Sequence, residues 1–249
     1  MRNENGLGNQ NHAKTSVNIV RYMLRWLDEK PSVRVFVSGT VFNREISSVK
    51  RGADARTIIF PNTVRDMCGY AFTANKRLRS AVLNEGLEEL PRCSDADFFS
   101  DDPDGVFANS EIRQIKLPAT LRVLRHHTFY DCKMLRRVTF AEGSALERIE
   151  GYCFASSWIE EFRAPQSLRV IDDGAFAYCG NLGLVALNEG LTRIGERRVY
   201  FEERNRKIND GAFQCYRMQE ITLPGTLVEI GENTFRDSSL KTIHIADDL

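Results

Sequence analysis

The sequence predicts a β-rich solenoid, built of coils of about 23 residues in a 45-residue two-coil period, with an N-terminal amphipathic helix as its cap. Three observations carry that expectation. A Phe recurs at 72, 107, 129, 154, 176, 213 and 235. Two short alternating runs bracket each one, as Leu121–Leu124 and Leu135–Phe140 bracket Phe129. The turn after the second run alternates in type along the chain: Pro61, Asn84, Pro118, Ala141, Pro165, Asn188, Pro224. Self-similarity at a fixed period marks units that cannot bury an apolar edge alone and must stack.

Taken in order, residues 1–14 are rich in Asn and Gly and read as a disordered tail. A helix over 15–30 follows, capped by Thr15 or Ser16. Val17, Val20, Met23, Leu24 and Leu27 share one face, and Pro31 stops it. Beside a repeat array such a helix is a lid over the first coil. Residues 31–60 resemble a degenerate first coil, with Val33, Val35 and Val37 alternating before Phe60. From 61 to 249 the pattern is regular: turn, short first strand, Phe anchor, closing strand. First strands are expected at Val64–Met67, Leu121–Leu124, Leu168–Ile171 and Leu227–Ile230. Alternate positions of a closing strand point inward, as Ile115/Leu117 and Ile221/Leu223 do, leaving their neighbours outward.

Successive Pro turns stand 57, 47 and 59 residues apart, so the coils anchored by Phe107, Phe154 and Phe213 carry 12, 2 and 14 extra residues over a constant 45. The two large insertions, near 92–104 and 196–208, fall between first strand and anchor, along one edge.

Several function classes drop out. Lys plus Arg and Asp plus Glu each number 34, for a net charge of +0, so nothing draws the whole chain to nucleic acid. No run approaches the roughly 18 apolar residues of a membrane span. The polar N-terminus lacks the apolar core of a secretory signal, which favours a cytoplasmic protein. Of six cysteines, Cys132 and Cys179 stand three residues after an anchor and Cys215 two. Equivalent positions two coils apart are about 10 Å from each other, beyond the roughly 7 Å that a disulfide allows, so the thiols read as buried apolar groups.

No nucleophile with its base, no paired carboxylates and no converging metal ligands are visible, so no catalytic residue, metal or cofactor is assigned. His126–His127 reads as turn packing and His244 as an exposed outward position. The first insertion gathers Asp95, Asp97, Asp101, Asp102 and Asp104, but Ser100 occupies the place of the turn Gly in a calcium loop, and no Glu closes it. It reads as a solvated acidic loop. The second insertion sets Arg197, Arg198, Arg204, Arg206 and Lys207 around Tyr200 and Phe201, residue types typical of interface anchors. The expected partner-binding set is Lys116, Arg137, Glu161, Arg163 and Glu220 on the closing strands, with Tyr200, Phe201, Arg197, Arg198, Asp101 and Asp102 on two arms framing a cleft. On the first strands, Arg122, Arg148, Arg169 and Arg193 form a column expected to be solvated.

Two stretches carry a family resemblance: Ile171-Asp172-Asp173-Gly174-Ala175-Phe176-Ala177-Tyr178-Cys179 with Leu182, Val185 and Leu187, and Ile230-Gly231-Glu232-Asn233-Thr234-Phe235 with Leu240, Ile243 and Ile245. They resemble the repeat unit of BspA-type (Treponema-type) leucine-rich repeat proteins, over about 61–245. The resemblance implies a leucine-rich-repeat solenoid and roles in adhesion, surface display and protein binding. Two functions are therefore expected: a non-catalytic scaffold that binds another protein, or a secreted or surface adhesin module for glycan or matrix protein. An uncapped last coil also suggests a homodimer.

Overall fold

The computed structural model describes residues 57–60, 72–90, 105–195 and 210–246. The expected tail, capping helix, most of the first coil and both insertions lie outside them. So do Val64–Met67, Cys68 and Cys93.

The described residues form a parallel β-solenoid. Its closing strands are β1 (Thr57–Ile59), β2 (Ser80–Val82), β3 (Gln114–Leu117), β5 (Arg137–Phe140), β7 (Glu161–Arg163), β9 (Leu184–Ala186), β11 (Glu220–Leu223) and β13 (Thr242–Ile245). The first strands are β4 (Val123–Leu124), β6 (Arg148–Ile149), β8 (Val170–Ile171), β10 (Arg193–Ile194) and β12 (Glu229–Ile230). Every pairing is parallel and joins successive coils, for example Ile115↔Val138 and Phe162↔Val185. The first strands are shorter than the sequence suggests. The amides of Leu121, Leu168 and Leu227 are already committed to the carbonyls of Pro118, Pro165 and Pro224, so the turn takes the residues that would have opened each strand.

Between the sheets runs the column of Phe side chains. Rings 72, 107, 129, 154, 176, 213 and 235 stack in that order at 5.1–6.1 Å, with interplanar angles of 4–12°. Each is fully or nearly fully buried except Phe235, which packs against the core from its edge. The anchors' backbone builds the third side of each coil. The amide of Phe129 donates to Cys153 O and that of Phe154 to Ala175 O, so turn follows turn as strand follows strand. Two residues before or after an anchor the chain goes left-handed, as at His127, Asp131, Tyr152, Ser156 and Tyr178 (φ 52–59°). The amides of Asp131 and Ser156 then reach Ala155 O and Ala177 O of the next coil, which holds that conformation in place.

The two-coil period has a physical origin in how unlike turns interlock. Gly86 (φ 112°) donates its amide to Thr120 Oγ1 at 2.9 Å, and that hydroxyl donates to Leu87 O at 2.9 Å. Gly190 (φ 112°), Thr226 and Leu191 repeat the arrangement at 2.8 and 3.0 Å. In both, the Gly turn meets a Thr in the Pro turn of the next coil, and at the third such turn Ser167 Oγ donates to Leu146 O at 2.8 Å. The alternation reaches the interior, where Cys132 meets Ser110 at 3.7 Å and Cys179 meets Ser157 at 3.6 Å. Cys132, Cys153, Cys179 and Cys215 are free and buried, as expected. Burial pushes the Cys132 and Cys179 thiols up to about 12.

The two extra residues of the Phe154 coil lengthen the preceding turn: Leu83 to Leu87 and Leu117 to Leu121 span four positions, whereas Phe140 to Leu146 spans six.

A candidate partner-binding face on the closing strands

Alternation along the closing strands sends Ile115, Val138, Phe162, Val185 and Ile221 into the core and their neighbours outward. Ladder register then sets Gln114 beside Arg137 and Lys116 beside Thr139, and farther on Glu161 beside Leu184 and Arg163 beside Ala186. Lys116, Arg137, Glu161, Arg163 and Glu220 therefore share one face, with Glu220 two strands beyond Glu161. Tyr200, Phe201, Arg197, Arg198, Asp101 and Asp102 lie outside the described residues.

The face has a basic centre. Arg137 Nε stands 3.4 Å from Glu161, and the Arg163 guanidinium 3.7 Å from the same carboxylate. One residue before the strands, Arg136 pairs with Glu160 at 3.2 Å and lies over the Trp158 ring at 4.7 Å. Arg113 and Lys116 make no ion pair with a described residue. Sequence reasoning missed Arg113, Arg136, Glu160 and Trp158 because they precede the alternating runs. The signal was available: Arg113, Arg136 and Glu160 hold one register in three successive coils. These pairs are at least one-third exposed, so each contributes about 0–1 kcal/mol and exchanges readily for a partner's charges.

The opposite side behaves differently. Arg148 and Arg193 both reach Asp172, at 2.7 and 3.3 Å, and that carboxylate is only 8% exposed. Arg122 pairs with Glu147 at 2.7 Å, and Arg169 donates to Gln166 O at 2.9 Å. The column expected to be solvated is thus largely a set of links between coils and within turns.

Across the closing face the sheet is not continuous. β1-β2-β3-β5 form one sheet and β7-β9-β11-β13 another, while β4 to β12 on the opposite side form a single unbroken sheet. The parting lies between β5 and β7. Just before it, Glu160 N–H donates to Arg136 O at 3.2 Å. Phe140 and Phe162 meet edge to face at 6.2 Å there, in the one described coil pair that sets Phe at both positions, and Ala164 faces Phe140's position. A cavity of about 520 Å³ opens at the joint, walled by Val138, Phe140 and Ser144 on one lip and by Arg163, Pro165 and Gln166 on the other. A second depression of about 480 Å³, between Arg113, Arg137 and Leu184, shares Glu161 with it.

The anchor edge carries the feet of both insertions. A Cβ on Gly105 would collide with His127 O, and one on Gly211 with Asn233 O, so each insertion returns through a Gly pressed on the next coil. Tyr152 and Tyr178 donate their hydroxyls to Asp210 at 3.2 and 2.7 Å, fixing the second foot and pushing the Tyr178 phenol up to about 12. His127 packs against Tyr130 and Tyr152 at 5.2 and 5.7 Å, in keeping with a turn-packing role. His244 is exposed.

The profile of the BspA-type leucine-rich repeat region matches residues 103–201 and 197–249, in 6 copies. The chain belongs to the BspA-type leucine-rich repeat family. No curated protein matches it. Among solved structures it is similar to a leucine-rich cell surface protein of Faecalibacterium prausnitzii, at 19% identity over 79% of this chain and 49% of that one, with a TM-score of 0.43. It is also similar to the leucine-rich repeat protein of T. pallidum, at 18% over 77% and 74%, TM-score 0.42. A leucine-rich repeat protein of Bacteroides ovatus follows at 14% over 76% and 69%, also TM-score 0.42. The chain spans about half the length of the F. prausnitzii protein.

Proposed function

We propose that this BspA-type repeat protein is a non-catalytic scaffold that binds another protein through its closing-strand face, assisted by the two insertions. The observation that supports this most is the basic centre of that face. Arg113, Lys116, Arg136, Arg137 and Arg163 converge there against two carboxylates, Glu160 and Glu161, and all of these pairs are open to solvent. Exposed charges of one prevailing sign steer a partner and fix its register while adding little to folding stability. The insertions leave from the neighbouring edge and would lengthen the grip.

The test is affinity capture from the native source with three proteins: the intact chain, Lys116→Glu/Arg137→Glu/Arg163→Glu, and a chain lacking 92–104 and 196–208. A specific protein is expected on the intact chain, lost on charge reversal and weakened by the deletion. Equal capture by intact and charge-reversed chains would sink the assignment of the face. Full affinity after the deletion would remove the insertions from the grip.

A further inference from the structure

We infer that the joint between β5 and β7 is the recognition cleft, and that its ligand is an extended acidic segment of a partner protein which seats one apolar side chain between Phe140 and Pro165. The inference rests on the scaffold reading above and names the site and the chemistry of the partner within it.

Three independent features meet at this place. The first is the parting of the sheet. By the alternation of a parallel ladder, the peptide groups of Val138 on β5 and Arg163 on β7 face the joint, and no ladder pairing joins the two strands. Unpaired strand edges are where an extended chain docks through its main chain. The second is space. The cavity of about 520 Å³ falls in the range of ligand pockets, and its floor is apolar where Val138 and Phe140 line it. The third is charge. The adjoining depression places Arg113, Arg136 and Arg137 along the path, and Arg163 lines the cavity itself. Against these five cations, Lys116 included, stand Glu160, Glu161 and the turn's Glu142. The excess favours carboxylates on the incoming chain.

The cleft also coincides with two marks in the sequence. The turn Ala141–Ala145 carries two additional residues at the lip, and Phe140 and Phe162 meet edge to face across the joint. The first-strand sheet behind stays paired through the same two coils, Arg148↔Val170 and Ile149↔Ile171, so the opening is held by a rigid back. A pocket with one fixed wall costs little to organise on binding.

The experiment uses the full chain and fluorescence anisotropy with three blocked, labelled peptides: Glu-Asp-Glu-Leu-Glu-Asp, the same peptide with Ser for Leu, and a counterpart with Lys at every acidic position. The first is expected to bind, the Ser peptide roughly tenfold more weakly, and the Lys peptide not at all. Arg163→Glu and Ser144→Trp, which reverse the charge and fill the cavity, should each weaken binding by at least about tenfold with an unchanged thermal melt. Glu229→Lys, on β12 of the opposite side, should leave it intact. Equal binding of acidic and Lys peptides, or indifference to both cleft variants, overturns the assignment. If the peptides fail while charge reversal of the face still abolishes capture of a native partner, the cleft falls and the scaffold stands. If the acidic peptide binds at the cleft while native capture ignores the face, the cleft stands and the scaffold reading falls.

Discussion

The two sides of this solenoid are made of the same repeats yet respond differently to the same irregularity. The first-strand side runs unbroken from β4 to β12 and ties Arg148 and Arg193 to the buried Asp172. The closing side parts between β5 and β7 and keeps its ion pairs in solvent. One side is organised to hold the stack together, and the other can be reshaped without loosening it. A repeat array contacts only its neighbours, so a local fault stays local as long as one side remains paired.

The comparison breaks most visibly in the core. Phe154→Ala removes a ring stacked on Phe129 and Phe176 and should lower stability by about 3–5 kcal/mol in denaturant unfolding. Phe140→Leu, at the parted edge, should lower it by less than about 1.5 kcal/mol. Similar losses would mean that the joint is packed like the column. Next comes charge. Asp172→Ala leaves two partly buried guanidiniums without their shared carboxylate and should destabilise by about 2 kcal/mol, whereas Glu161→Ala should change stability by about 0.5 kcal/mol or less. Matching effects from the two would erase the distinction between the sides. The smallest effect sharpens it. Deleting Ser144 and Ala145 restores the short turn and should let β5 pair with β7, gaining roughly 1 kcal/mol. Loss of acidic-peptide binding in that variant, with the fold kept, is the expected companion result.

Much of this architecture was legible in the sequence, and the exceptions share a reason. The Phe column, the alternation of closing strands and the buried thiols follow from periods of about 23 and of 2, which any coil must obey to stack. The first strands were read too long because apolar spacing does not reveal that the Leu121 and Leu168 amides belong to turns. The place of the two extra residues was left open, since a length difference fixes how many residues are added and not where. The parting of the sheet falls where Phe140, Phe162 and Ala164 meet beside a longer turn, and no single residue announces it. Arg113 and Arg136 went unnoticed because they sit one residue outside the pattern that was being read.

Native-state amide hydrogen exchange tests the central claim most directly, since it compares the two sides within one molecule. Amides bonded across the unbroken sheet, Glu150, Asp172 and Gly195, should exchange slowly, with Val138 and Arg163 at the joint roughly a hundredfold faster although they lie mid-stack. Equal protection at the two sets would show that β5 and β7 are joined, and the cleft and its ligand would go with the gap.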